Sequence, residues 1–139
     1  MQVTIELTGR MLPGTEIGAA LVALQAMEPD LIGINCATGP QEMYEPVRFL
    51  SEHSTVPIAV IPNAGLPLVI DDKMHYDLSA QIMADHLEKF ITNYGVSVVG
   101  GCCGSTPAYI KEIASRIHGL TRADRSPEHI AAATSTYSS

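Results

Sequence analysis

The sequence predicts an α/β fold in which four consecutive strand–helix units surround a parallel sheet. Three observations carry that prediction. Short β-branched runs alternate four times with longer segments of helical period. Capping residues and glycines fall where those helices should begin and end. With no Trp, two Phe and five Tyr among 139 residues, the core must rest on Ile, Val, Leu, Ala and Met, the usual filling of such a fold.

The first unit reads as a strand over 3–7, the loop Gly9-Arg10-Met11-Leu12-Pro13-Gly14, and a helix capped by Thr15 with Ile17, Ala20, Leu21 and Leu24 on one face. The second has a strand over 31–36 ending in Asn35-Cys36, the loop Ala37-Thr38-Gly39, and a helical stretch to His53 that Pro46 must kink or restart. The third has a strand over 58–61 and a connection over 62–77 containing Pro62-Asn63-Ala64-Gly65-Leu66-Pro67. Connections of that length without structure of their own are more often functional than idle. Ser79 then caps a helix with Met83, Leu87, Phe90, Ile91 and Tyr94 on its inner face, stopped by a left-handed Gly95. The fourth unit has a strand over 96–99, the turn Gly100-Gly101-Cys102-Cys103-Gly104, and a helix opened by Thr106 and Pro107. Its buried stripe is expected to be Ile110, Ile113, Ala114 and Ile117, with Gly119 ending it. From 120 onward Thr, Ala, Ser, Pro and charges follow without apolar period, so a domain over 1–119 is expected to lead into a linker and tail over 120–139, closing without a further element over 134–139.

Eight basic against fifteen acidic side chains give a net charge of −7. That balance speaks against a surface for nucleic acid or anionic lipid and for a small-molecule or protein partner. No apolar run approaches the roughly 20 residues a membrane span needs. Met1-Gln2-Val3-Thr4-Ile5 opens as a strand, without the basic region and cleavage site of a signal peptide, and a cytoplasmic location is expected. Three cysteines, two of them adjacent, do not make a disulfide framework, and they are either buried fillers or ligands.

In a parallel βα architecture the strands aim their C-terminal ends at one rim, where reactive groups collect. Cys36 ends the second strand, Asn63 follows the third and Cys102-Cys103 follow the fourth, so all three cysteines fall on that rim. Zinc takes thiolate ligands in a tetrahedron, and a catalytic site leaves one position open. Three thiolates and a vacancy fit that pattern. Gly100, Gly101 and Gly104 allow a sharp turn, and the helix opened near Thr106 directs its positive end back at it, which favours thiolate. Asn63, through its side-chain oxygen, is the nearest polar candidate for the fourth position, and Asn35 is a second candidate on the substrate side. Free cysteine is among the most buried residue types, so convergence at three strand ends is what separates ligands from fillers. His53, His75, His86, His118 and His129 show no ligand spacing and are read as surface residues. The glycine pairs match neither a dinucleotide nor a P-loop pattern.

The runs Gly33-Ile34-Asn35-Cys36-Ala37-Thr38-Gly39-Pro40, Pro62 to Pro67, and Val98-Val99-Gly100-Gly101-Cys102-Cys103-Gly104-Ser105-Thr106-Pro107 resemble the motifs of the homocysteine S-methyltransferase domain, in order and at similar spacing, up to about His118. The opening Thr8 to Glu16 and the tail ending Tyr137-Ser138-Ser139 look most like the cobalamin-dependent methionine synthase branch. The resemblance implies a partial TIM (β/α)8 barrel, its four consecutive βα units corresponding to the second half, since a whole barrel takes about 250 residues. It implies zinc on Cys36, Cys102 and Cys103, with the homocysteine sulfur in the fourth place. A free thiol titrates near about 8.5, whereas a thiol on zinc is deprotonated outright. That sulfur would attack the methyl group of methylcobalamin and yield methionine.

Methylcobalamin and methyltetrahydrofolate would be reached through cobalamin and folate domains absent from this chain. A half-barrel has two open sheet edges, which implies a missing N-terminal half-barrel or self-association as partner, and weak or no turnover alone. Betaine or S-methylmethionine is the alternative donor within the family. From another class, the chain could be a non-catalytic zinc-binding half-barrel interaction module, although structural zinc normally takes four protein ligands.

Overall fold

A computed structural model of the chain describes residues 1–11 and 14–129. Leu12 and Pro13 of the first loop, and the tail over 134–139, lie outside the described residues. Four strands, β1 (Gln2–Val3), β2 (Ile32–Asn35), β3 (Ile58–Ile61) and β6 (Val98–Val99), form one parallel sheet in the order β1-β2-β3-β6. Each is followed by a helix: α1 (Ile17–Gln25), α2 (Tyr44–His53), α3 (Ala80–Tyr94) and α4 (Pro107–Ile117). Strand order in space therefore repeats strand order in the chain. A separate antiparallel hairpin, β4 (Pro67–Ile70) and β5 (Lys73–Tyr76), rises between β3 and α3.

The central strands explain the parallel arrangement. Ile32, Gly33 and Ile34 of β2 and Ile58, Ala59 and Val60 of β3 are all buried. Such near-continuous apolar runs belong to strands covered on both faces. Their pairing is close: a Cβ on Gly33 would lie 2.7 Å from the Ala59 carbonyl oxygen, so glycine is required there.

Helix α3 forms as the sequence predicts. The Ser79 hydroxyl accepts a hydrogen bond from the Ile82 N–H, and Gly95 ends the helix at a φ of 67°. Met83, Leu87, Phe90 and Ile91 are buried, each of the large ones worth about 1.5–3 kcal/mol over exposure. Tyr44 of α2 packs on Phe90 at 4.7 Å and bonds His86 Nδ1 at 2.9 Å. His86 is thus half-buried rather than a surface residue, and burial holds its pKa below the ordinary value.

Several elements depart from expectation. The first strand stops at Val3, because the chain turns through Glu6 N–H to Arg10 O (2.8 Å) and Gly9 N–H to Glu6 O (2.8 Å), leaving Leu7 exposed. Glu16 rather than Thr15 occupies the N-cap of α1, and it pairs with Arg10. Pro46 restarts the helix, as expected: a 3-10 turn (Pro40–Met43) gives way to α2, whose first turn holds Pro46, where its missing N–H costs nothing. The fourth strand is shorter than predicted, and in α4 only Ile113 is buried, with Ile110 and Ala114 exposed. The reason is position: α4 packs chiefly along α3, and β6 is an edge strand. The connection over 62–77 is not bare, since Asp71 and Asp72 take φ values of 49° and 58° and close the hairpin. Two left-handed central residues are the mark of a tight type I′ turn.

Residues 120–129 form no helix or strand, yet they return across the base of the sheet. Ala123 N–H bonds Ile91 O at 3.0 Å and Glu128 N–H bonds Glu52 O at 2.8 Å. The half-buried Arg125 guanidinium donates to the carbonyls of Leu50, Ser51, Ser54 and Val56, at 3.4, 3.2, 2.8 and 2.9 Å. These carbonyls surround the C-terminus of α2, whose last acceptors have no partner within the helix. Replacing Arg125 with Met should therefore cost about 1–3 kcal/mol of stability, the penalty for orphaning part-buried acceptors. Urea unfolding of the two proteins checks this, and a change below about 0.5 kcal/mol, the range of an ordinary surface substitution, contradicts it.

Candidate metal centre

Three loops meet at the C-terminal rim of the sheet. After β2, Cys36 and Ala37 both enter the left-handed region, at φ 58° and 57°. For residues with a Cβ this costs roughly 1–2 kcal/mol each, so the bend must be held by its surroundings. It is held: Cys36 N–H bonds Ile61 O at 2.9 Å, and Thr38 N–H bonds Cys36 O at 2.7 Å. After β3, Asn63 N–H bonds Thr38 O at 3.0 Å. After β6, Cys102 N–H bonds Pro62 O at 2.8 Å, while Cys103 O accepts from Ala64 N–H at 2.9 Å. The segment Pro62-Asn63-Ala64 therefore lies between the other two loops and bonds to both.

This arrangement brings the three sulfurs together. Cys36 Sγ lies 3.6 Å from Cys103 Sγ, and Cys102 Sγ lies 4.0 Å from it. All three sulfurs fall within 4.8 Å of one another. Zn–S bonds of about 2.3 Å at a tetrahedral angle set sulfurs about 3.8 Å apart, so the spacing fits one ion. A set of thiolates alone suits zinc better than calcium or magnesium, which take oxygen. Cys36 and Cys102 are half-buried and Cys103 is exposed, so the cluster opens to solvent on one side.

Proton affinity is divided unevenly among the thiols. Burial raises the Cys36 pKa, but bonds from the Ala37 N–H, the Cys102 and Cys103 thiols and the Asn63 amide outweigh it and bring the value below the ordinary one. Cys102 is pushed up to about 11, first by burial and then by sharing its proton with Cys36. Of these two, Cys36 is the readier thiolate. A metal would displace the remaining protons, since only deprotonated sulfur is a ligand.

Asn63 is buried at 3% exposure, and its Oδ1 accepts from the Cys103 N–H at 3.2 Å. Asn35, half-buried, ends β2 one residue before Cys36. None of the five histidines joins the cluster among the described residues. Tyr76 was not singled out by the sequence. It ends β5, and its ring presses on Gly104, the residue after Cys103. Burial, and then the negative charge of Cys103, hold its phenol above the ordinary range. The signal that could have found it was the length of the connection over 62–77, in which Tyr76 is the aromatic residue nearest the next helix.

Comparison with known proteins adds an independent line. The family model described as Homocysteine S-methyltransferase matches residues 1–117. A methionine synthase of Mycobacterium tuberculosis is 47% identical over 135 residues, covering 97% of this chain and 11% of that protein. A methionine synthase of Mycobacterium leprae is 50% identical over 117 residues, covering 84% of this chain and 10% of that protein. The chain spans about a tenth of the length of these curated relatives.

The turn after β6 depends on Gly104, which sits at φ 78° and where a Cβ would lie 2.3 Å from the Tyr76 ring. Gly104→Ala should lose about 1–3 kcal/mol to backbone strain alone. Chemical denaturation measures that loss; an unchanged midpoint would mean the turn is not built this way.

Proposed function

The chain belongs to the homocysteine S-methyltransferase family, and on that premise we propose that it holds the zinc thiolate site of a methionine synthase. The observation that carries the reading is the approach of three sulfurs, distant in sequence, to within 4.8 Å. Cys36, Cys102 and Cys103 are the ligands in this reading, and homocysteine is the substrate. Bound there, zinc supplies the Lewis acidity that keeps a substrate thiol deprotonated and nucleophilic at neutral pH.

The chain's own residues prepare the place for that sulfur. Strained backbone at Cys36 turns its side chain toward the Cys102-Cys103 turn, and the exposed flank of Cys103 leaves a way in from solvent. Asn63 braces the Cys102-Cys103 turn, its Oδ1 accepting from the Cys103 N–H and its own N–H giving to Thr38 O beside Cys36. We assign Asn63 and Asn35 to the edge of the fourth position. A cleft of about 280 Å³ beside Thr38 has room for the rest of an amino acid, and Glu6 and Glu42 in its wall suit an ammonium group. Methylcobalamin is the methyl donor we propose, recharged by methyltetrahydrofolate, both brought by further domains of the parent enzyme.

The sheet itself is read as the second half of a (β/α)8 barrel. Parallel strands in sequential order fit one arc of such a barrel. Val98 and Ile110, exposed on the β6 flank, fit a contact with the other half-barrel or with a second copy. The unit runs over 1–119 in this reading, and the linker that begins at 120 docks its first residues, 120–129, back on that unit. We place the chain in the cytoplasm, where thiols stay reduced; among the described residues no helix is long and apolar enough to cross a membrane.

Metal analysis tests the proposal. The chain should retain stoichiometric zinc after gel filtration, and Cys102→Ser should weaken zinc binding by more than about tenfold, the lower end of what losing even an outer partner of a ligand costs. Equal zinc in both proteins would remove Cys102 from the site, and none in either would end the reading. Turnover of homocysteine and methylcobalamin by the chain alone should be slow or absent, and rates like those of a whole methionine synthase would overturn the half-barrel part.

A further inference from the structure

The cleft of about 280 Å³ is acidic as well as apolar. Glu6, Glu42 and Glu45 stand in its wall with Ile5, Ile34 and Met43, and no Lys, Arg or His joins them among the described residues. Glu45 is paired with Arg48 at 2.8 Å, which leaves Glu6 and Glu42 for an ammonium group. A carboxylate entering the same cleft finds no counter-cation, so a neutral donor has to hold it. Thr38 lies in that wall at 2% exposure, and its hydroxyl has no hydrogen-bond partner among the described residues. Native chains keep few unpaired hydroxyls at such burial. Thr8, the other hydroxyl of the wall, is exposed to solvent. The Thr38 backbone is held on both sides, its N–H on Cys36 O at 2.7 Å and its O accepting from Asn63 N–H at 3.0 Å. Thr38 follows Cys36 by two residues, so their Cα atoms are at most about 7.6 Å apart, a span on the scale of homocysteine itself.

We propose that Thr38 is a substrate-binding residue: its hydroxyl, in the wall of the cleft, donates a hydrogen bond to the α-carboxylate of homocysteine. The inference rests on the metal reading above. The substrate sulfur goes to the cluster, the ammonium group to Glu6 and Glu42, and the carboxylate to Thr38, so each polar group of the amino acid has its own partner. A hydroxyl that pairs only with the ligand is left orphaned by a ligand lacking the carboxylate. Thr38 therefore sets a preference for thiols that are amino acids over simple aminothiols.

Cobalt(II) in place of zinc makes the arrival of a substrate thiol visible, because a further thiolate on the metal strengthens the thiolate-to-cobalt charge-transfer band. The cobalt-loaded chain is titrated with homocysteine, with 4-mercaptobutanoate, which lacks the ammonium group, and with 3-aminopropanethiol, which lacks the carboxylate. Thr38→Val removes the hydroxyl at nearly constant shape, and Thr38→Ser keeps it. Thr38→Val should weaken homocysteine and 4-mercaptobutanoate about tenfold or more, the worth of a hydrogen bond to a charged group. It should leave 3-aminopropanethiol and cobalt affinity as in the wild type, and Thr38→Ser should restore homocysteine binding. The wild type itself should prefer homocysteine to 3-aminopropanethiol about tenfold or more, and this arm does not depend on the folding of a variant. Unchanged homocysteine affinity in Thr38→Val would overturn the inference. So would an equal loss for 3-aminopropanethiol, a loss that Thr38→Ser shares in full, or a wild type that binds both thiols alike. Absence of any thiolate-to-cobalt band in the wild type is a different result, which ends the metal reading and this inference with it.

Discussion

The main-chain bonds of Pro62, Asn63 and Ala64 are the constraint on which the site depends. Pro62 O accepts from Cys102, Asn63 N–H gives to Thr38, and Ala64 N–H gives to Cys103. Through them the loops after β2 and β6, which flank β3 in the sheet, are drawn over its end. Without that central strip the sulfurs would ride on separate loops, each free to relax. Backbone groups that bond one another do not depend on any side chain, so the framework tolerates variation around it. The cysteines add chemistry to an arrangement the backbone already specifies.

Two kinds of tension are stored at this rim. One is conformational, in the left-handed Cys36 and Ala37. The other is electrostatic, because three thiols within 4.8 Å cannot all ionise without a cation. Cys36 is held below the ordinary thiol value and Cys102 is pushed up to about 11, so the two sulfurs divide a proton unevenly. A dication resolves the tension better. Strain and like charge collected in one place are features proteins keep where they bind or react, and here they coincide with the sequence motifs of the family.

Much of this was legible in the residues. The strand Ile58–Ile61, the Ser79 cap and the Gly95 stop of α3 come out as the pattern predicts, because α3 buries one full face and its ends carry strong local signals. The three cysteines could be placed on one rim from strand order alone. What could not be read depended on contacts rather than period. The hairpin is exposed on both faces, so Leu68, Val69 and Ile70 leave no alternation to detect. Ile110 and Ala114 looked buried because their spacing is helical, but α4 lies at the edge of the sheet. The strap over 120–129 is polar and aperiodic, and it docks through Arg125 on carbonyls that no side-chain pattern announces. Tyr76 is the same case: its ring packs on a glycine backbone.

The central claim is that these sulfurs share one zinc ion and leave it room for a fourth. X-ray absorption at the zinc edge of the loaded chain measures this directly, by counting sulfur neighbours before and after homocysteine is added. The account predicts a shell of three sulfurs, one from each cysteine of the cluster, at about 2.3 Å, gaining one more with the amino acid. A shell of fewer sulfurs, or one that homocysteine leaves unchanged, would contradict it.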